Sequence, residues 1–381
     1  MSALPFCLAY LLPLFVGIGF QRGGICTFLT PFVTFVIIPL LDLFIGVDPR
    51  NPAPEQTEAL SNRLSFRLVT MVYVPLQIGL IIWGAYLVNH APFSSMEWLG
   101  IILSAGIMSG GIGITVAHEL SHRKNFLERT LGKALLMSAS YTHFYIEHNL
   151  GHHVHVCTPK DPATARFGES FYRFYPRTVI GSFRSAWKIE LGRLQRAGYS
   201  RWSWRNQMLW FIALPIMFAG ALGLVFSWKA TLFFFTQSFV GFSLLELVNY
   251  LEHYGLERQE LAHGRYEKVT IMHAWNTAHR VTNYFLFKLQ RHADHHVHPV
   301  RRYQTLRTFD ASPQLPAGYP MMILLALIPP LWRKVMDPRV EAVRANDDSG
   351  INKRSRTWSG NLENRRDQVR LHSSTKLISR P

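Results

Sequence analysis

Four short histidine-rich segments carry the chemistry of this chain. They read His118-Glu-Leu-Ser-His122, Glu147-His148-Asn-Leu-Gly-His152-His153, Asn249-Tyr-Leu-Glu252-His253 and Gln290-Arg-His292-Ala-Asp294-His295-His296. Imidazole nitrogen is a good ligand for several transition metals, and one metal accepts at most about six ligands. Nine imidazoles at these spacings therefore point to two metals held close together. His118 and His122 are four residues apart, as are His148 and His152, and His292, His295 and His296 form an i, i+3, i+4 set. Residues so spaced share a helix face, so each set can aim its rings at one point from a single helix. The metal-free alternative is costly, because each buried donor or acceptor left unpaired costs about 1–3 kcal/mol. Isolated histidines are a different matter: His90, His143, His155, His263, His298 and His372 read as ordinary surface or hydrogen-bonded residues.

Ligand type alone does not choose among zinc, copper, iron and nickel. His118-Glu-Leu-Ser-His122 matches the zinc-protease pattern H-E-x-x-H, but one such site uses only two of the nine clustered imidazoles. The full pattern of soluble di-iron bundles, two Glu and two Glu-x-x-His pairs, is not met, since among the clusters only Glu119 and His122 have that spacing. Iron is the natural choice if the site activates dioxygen.

The elements that must position these clusters are membrane helices. Six stretches approach or exceed the length of about 20 apolar residues needed to cross a bilayer: about 4–20, 25–41, 69–88, 98–117, 208–228 and 231–248. The first has neither a basic segment before it nor an A-x-A site after it, so it reads as a span and not as a signal peptide. Each histidine cluster lies at or shortly beyond the end of an apolar stretch. The 381 residues carry 40 Lys and Arg against 24 Asp and Glu, a formal charge of +16. That excess concentrates in residues 123–205 and 258–307, while the loops 21–24 and 89–97 are short and nearly free of it. The positive-inside rule puts the basic segments, the histidines and both termini in the cytoplasm. The expected fold is an all-α integral membrane protein of about six transmembrane helices, with a cytoplasmic helical cap carrying a histidine-rich two-metal site.

A basic chain could also bind nucleic acid, but no nucleic-acid motif or basic-aromatic repeat accompanies the charge. Anionic lipid and an acidic electron donor suit the basic face better. The three cysteines, at 7, 26 and 157, form no C-x-x-C pair. That excludes a fused rubredoxin-like iron–sulfur module, so if the site does redox chemistry its electrons must arrive from a separate protein. The segment 48–55 is a proline-rich turn, residues 320–332 are apolar but too short to span, and 341–381 is polar enough to predict a disordered tail. Residues 1–335 then form one membrane domain.

The four clusters, in this order, resemble those of membrane alkane 1-monooxygenases, within the histidine-box superfamily of membrane desaturases and hydroxylases. The first and last spacings are general to that superfamily. Three segments are more discriminating: Glu147–His153 with its extra residue, Asn249-Tyr-Leu-Glu-His-Tyr-Gly-Leu256, and Leu289-Gln-Arg-His-Ala-Asp-His-His296. The resemblance extends over most of residues 25–335.

It implies a di-iron centre ligated by His118, His122, His148, His152, His153, His253, His292, His295 and His296. The implied reaction converts a terminal methyl group to a primary alcohol with O2. Electrons would come from NADH through an FAD-containing rubredoxin reductase and then rubredoxin, at a bacterial inner membrane. Glu119, Glu147, Asp294, His273, Asn276 and His279 are candidates to brace the ligands, and Glu252 is a further candidate at the metals. Acid–base chemistry cannot open a strong, unpolarised C–H bond, and an alkane offers only shape and apolar burial for recognition, about 0.8 kcal/mol per methylene. The glycine-rich run 106–113 serves helix packing or leaves room for such a chain. Two relatives of the same chemistry, a xylene-type methyl hydroxylase and a fatty-acyl desaturase or hydroxylase, remain alternatives. From another class, a metal transporter is disfavoured, because transporters commonly bind near mid-membrane and carry internal repeats.

Overall fold

The computed structural model describes residues 2–348. Six helices are long and apolar enough to span a membrane: Leu4–Arg22, Gly24–Ile45, Leu64–His90, Ser95–Ser121, Gln207–Val225 and Trp228–His253. Each of the six expected spans is present, and four run several residues beyond their purely apolar stretch. The fourth gains a first turn from a capping box, in which Ser94 accepts the Glu97 N–H at 3.3 Å and Glu97 accepts the Ser94 N–H at 2.7 Å. Its other carboxylate oxygen accepts the Gly24 N–H at 2.6 Å, which ties the tight turn between the first two spans to the fourth.

The fourth span is the centre of the bundle, with 78% of its apolar window buried, against 22% and 28% for the second and fifth spans. Glycine makes that position accessible. A Cβ on Gly110 would stand 2.3 Å from the carbonyl oxygen of Gly241, so the fourth and sixth helices touch backbone to backbone. Gly106 and Gly113 are filled against side chains instead, those of Val240 and Gln77. Gly111 faces away from these contacts, with only Leu244 near it, at 3.6 Å. Packing and open space are thus divided among glycines of one run. The run Met108–Gly113 is also a π-helical turn, which shifts the register just before His118.

Beyond the spans, helices Phe126–Ser138 and Phe171–Arg196 and a set of short turns cap the histidine-bearing end. Buried Asp42, at the end of the second span, accepts the N–H groups of Val281 and Thr282 at the start of helix Arg280–Phe285. The short apolar segment near residue 320 forms helix Tyr319–Ala326. A second helix then runs Pro329–Asp348, so residues 341–348 are helical, and 349–381, with His372, lie outside the described residues. The polar composition around 341 concealed an apolar stripe. Trp332, Met336 and Val340 recur every four residues with no exposed surface, and Trp332 packs on Tyr250 and Tyr254.

Candidate metal centre

The nine boxed histidines converge and sort into two groups. His118, His122, His148, His153 and His295 form one; His152, His253, His292 and His296 form the other. Within each group the ligand nitrogens lie within 4.8 Å of one another. In the first group Nε2 of His118 lies 2.9 Å from that of His295. Nε2 of His148 lies 3.1 Å from that of His122 and 3.0 Å from that of His153, and His153 lies 3.1 Å from His295. In the second, Nε2 of His292 lies 3.2 Å from that of His253 and 2.9 Å from that of His296.

These distances test whether a metal fits. A ring nitrogen has either one N–H or one lone pair, so it makes one hydrogen bond and cannot satisfy two or three facing nitrogens. His148, His153, His295 and His292 each face at least two. Two nitrogens bonded to one metal at about 2.1 Å and at right angles would sit about 3.0 Å apart. The observed clustering therefore fits coordination and does not fit hydrogen bonding.

The grouping departs from the one-helix, one-target expectation. His148 and His153 serve the first group while His152, between them, serves the second; His295 serves the first while its neighbours His292 and His296 serve the second. The physical cause lies in the local helix. His148–His152 is a π-helical turn, whose wider i→i+5 spacing brings His148 and His153 together while His152 points to a different side. One helix thereby feeds both groups, which holds them side by side.

Seven of the nine histidines are buried, and His122 and His153 are half-buried. Burial, followed by the neighbouring imidazoles, pushes His148, His153, His292, His295 and His296 below the ordinary histidine range. The rings are then neutral and keep the lone pair a metal needs. His152 differs. Burial opposes its charge, but the Asp161 carboxylate, 3.0 Å from Nδ1, outweighs this and raises its pKa. Asp161 is fixed in turn by Thr164 at 2.6 Å and by the Ala163 N–H at 3.0 Å. A carboxylate on the far nitrogen of a ligating histidine fixes its tautomer and strengthens it as a donor. Asp161 went unnoticed in the sequence because it lies in a proline-flanked turn nine residues beyond His152, with no periodicity to mark it. Asp161→Asn is expected to lower metal affinity by about 10–100-fold. Iron retained against a chelator, measured on purified protein, tests this; retention equal to the parent would rule out that role.

Of the residues expected to brace the ligands, His273 does so through its backbone. Its carbonyl accepts from His253 Nδ1 at 2.9 Å, while its own ring meets the Thr270 N–H and Glu267. The side chains of the others make their contacts elsewhere. Glu119 pairs with Arg123 at 3.2 Å. Asp294 binds Arg301 and Arg307; burial would raise its carboxyl, but His298 and these arginines hold it down at about 2. Glu147 packs over Gly151, and burial together with Asp161 lifts it to about 8. Asn276 donates to Thr308 at 2.8 Å, and the His279 ring meets Thr277 at 2.6 Å. Arg291, missed in the sequence, is almost fully buried. It donates to the carbonyls of Asp48, Arg50 and Leu306, and so clamps the proline-rich turn to the last histidine cluster.

Glu252 does reach the centre. One carboxylate oxygen lies 3.2 Å from His292 Nε2, on the side where the nitrogens converge, and the other accepts from the Tyr319 hydroxyl at 2.9 Å. Both residues line an apolar cavity that also touches His118, His148 and His292. Gly111, Leu244, Val248, Phe35 and Ile323 line it as well.

A family model described as fatty acid desaturase matches residues 92–325. Alkane 1-monooxygenase 2 of Pseudomonas aeruginosa is 45% identical over 83% of this chain and 84% of its own length. The chain belongs to the alkane 1-monooxygenase family. The alkane 1-monooxygenase of Acinetobacter baylyi is 43% identical over 84% of this chain and 77% of its own length. More distant is the hydroxylase component of the xylene/toluene monooxygenase of Pseudomonas putida, 29% identical over 85% of each chain. A histidine-rich metal site on a six-helix membrane bundle, in a family of monooxygenases, points to an iron-dependent membrane oxygenase.

Proposed function

We propose that this chain hydroxylates the terminal methyl group of n-alkanes, consuming one O2, two electrons and two protons to release a 1-alkanol and water. The observation that carries this reading is the apolar cavity that ends on both histidine groups. Its walls offer a linear hydrocarbon burial at about 0.8 kcal/mol per methylene and exclude water from the reacting end. A polar headgroup finds little to bind along Ile114, Leu244, Leu245, Val248 and Ile323, which favours an alkane over an acyl ester.

Two irons are the proposed metals. The five-histidine group would hold one and the four-histidine group the other, with the Glu252 carboxylate completing the smaller set. Bound iron would supply the redox chemistry that activates dioxygen. Asp161 orients His152, the His273 carbonyl orients His253, and Tyr319 holds Glu252 against the mouth of the cavity. Electrons are proposed to come from reduced rubredoxin, itself reduced from NADH by an FAD-containing reductase. Supporting this, the sequence lacks the four cysteines of an iron–sulfur module of its own. The proposed location is a bacterial inner membrane with the metals and both termini on the cytoplasmic side, supported by the basic segments between and after the spans. A cysteine introduced in the loop 91–94 should then react with an impermeant reagent added to intact spheroplasts, and one at 201–205 should not.

The deciding experiment supplies membranes containing the chain with rubredoxin, its reductase, NADH, mixed n-alkanes and p-xylene, and analyses products by mass spectrometry. Primary 1-alkanols that disappear in His152→Ala are expected. Methylbenzyl alcohol alone would move the chain to the xylene-type reaction. Gly111→Phe should shift the product distribution toward shorter alkanols, because its ring would fill the cavity where Gly111 leaves it open. An unchanged distribution would place the hydrocarbon elsewhere.

A further inference from the structure

A second cavity, of about 350 Å3, opens on the histidine-bearing side of the bundle where the fifth span begins. It lies between helices Phe126–Ser138 and Phe171–Arg196, and Arg129, Lys133, Arg193 and Arg196 line it against one carboxylate, Glu190. That carboxylate is already engaged: Glu190 receives both nitrogens of the Arg193 fork at 2.6 and 2.7 Å, and the Gln207 N–H at 2.8 Å. Lys133 lies 4.3 Å from the centre of the Tyr145 ring and is held by Gln207 at 3.3 Å. Arg129 and Arg196 form no side-chain hydrogen bond or ion pair among the described residues. The remaining walls are mainly apolar, with Phe126, Ile146, Leu150 and Ile189 beside Thr130.

The surroundings locate this cavity at the water–lipid boundary. Trp202 and Trp204, 67% and 73% exposed, precede the fifth span, and Trp210 lies within its first turn. Exposed tryptophans flanking a span mark the headgroup level. Phe126 and Leu150 also remain exposed beside the cations. Cations and apolar surface together at that depth suit a molecule with an anionic head and acyl tails. A soluble acidic protein would not use the apolar half.

We propose that this cavity binds the phosphodiester headgroup of an anionic phospholipid, with Arg129, Lys133 and Arg196 on the phosphate and the acyl chains along Phe126 and Leu150. Tyr145, Ile146 and Leu150 belong to the segment that carries His148 and His152, so the bound lipid buttresses the second histidine cluster from behind.

The test reconstitutes the full chain in nanodiscs and reads lipid retention and melting temperature, both independent of turnover. Retention is measured by native mass spectrometry after release into detergent. Phosphatidylglycerol should be retained in preference to phosphatidylcholine and should raise the melting temperature. Each basic residue near an anionic surface contributes about fivefold, so R129Q/R196Q should weaken that preference by roughly 25-fold. R196Q alone, at an exposed position, should weaken it by about fivefold and guards against misfolding of the double variant. Equal retention of both lipids, or a preference untouched by the variants, overturns the proposal. So does displacement by inorganic phosphate at the lipid's own concentration, which would make this a free-phosphate site. Unchanged lipid retention with a raised KM for the acidic electron carrier would assign the cations to that protein.

Discussion

His152→Ala should abolish alkane hydroxylation, by about 10^3-fold or more, and cost the protein one iron of two. Losing a brace of a ligand typically costs about 10–100-fold, and losing the ligand itself should exceed that. His152 belongs to the group of four, which has no histidine to spare, and it is held by Asp161 at 3.0 Å. Iron per chain by mass spectrometry and 1-alkanol formation are the two measurements. His279→Ala is the control. Its ring meets Thr277 and lies in neither histidine group, so iron content and turnover should survive a stability loss of about 1 kcal/mol. Parental iron content in His152→Ala would show that the smaller group is not a metal site. Loss of both irons would show that the two groups fill only together.

Gly110→Val should have the largest effect on folding. Its Cβ would be placed 2.3 Å from the Gly241 carbonyl oxygen, and both partners are backbone, so no side chain can turn aside. Overpacking of this kind costs about 3 kcal/mol or more, a large share of the roughly 5–15 kcal/mol by which domains are stable. Yield of folded protein and melting temperature measure it. The fourth span carries His118 and His122 and the sixth carries His253, so prying them apart should also release metal. Gly111→Ala, one residue away and with a nearest neighbour at 3.6 Å, should leave yield and melting temperature close to the parent. If both variants melt alike, the close approach does not hold the bundle together.

The residues that were legible in the sequence are those whose spacing or composition is local. Apolar runs long enough to cross a bilayer announce the six helices, because each span must satisfy its own backbone in lipid. Nine histidines in four clusters announce a metal centre, and their order and flanking residues resemble one family. Glu252 was one of several carboxylates beside the boxed histidines, and it is the one that lies against the ring nitrogens, 3.2 Å from His292. The helix over 341–348 was concealed, because its charged face dominates composition while its buried stripe touches Tyr250 and Tyr254, far away in the chain.

What only the tertiary structure decided is the partition of ligands. Adjacent histidines at 152 and 153, and again at 295 and 296, belong to different groups; a π-helical turn that no residue spacing reveals precedes the first pair, while the second pair lies on an α-helix. The braces were equally hidden. Asp161 reaches His152 from a turn, the His273 carbonyl reaches His253 from twenty residues on, and Tyr319 reaches Glu252 from a separate helix. Helical periodicity speaks for contacts within one element, whereas ligand sharing and second contacts are made between elements. The sequence by itself therefore determined the kind of chemistry and the membrane bundle that hosts it. Which histidine joins which group, and which residues line the apolar cavity beside them, follow from helix packing that brings distant residues within about 3 Å.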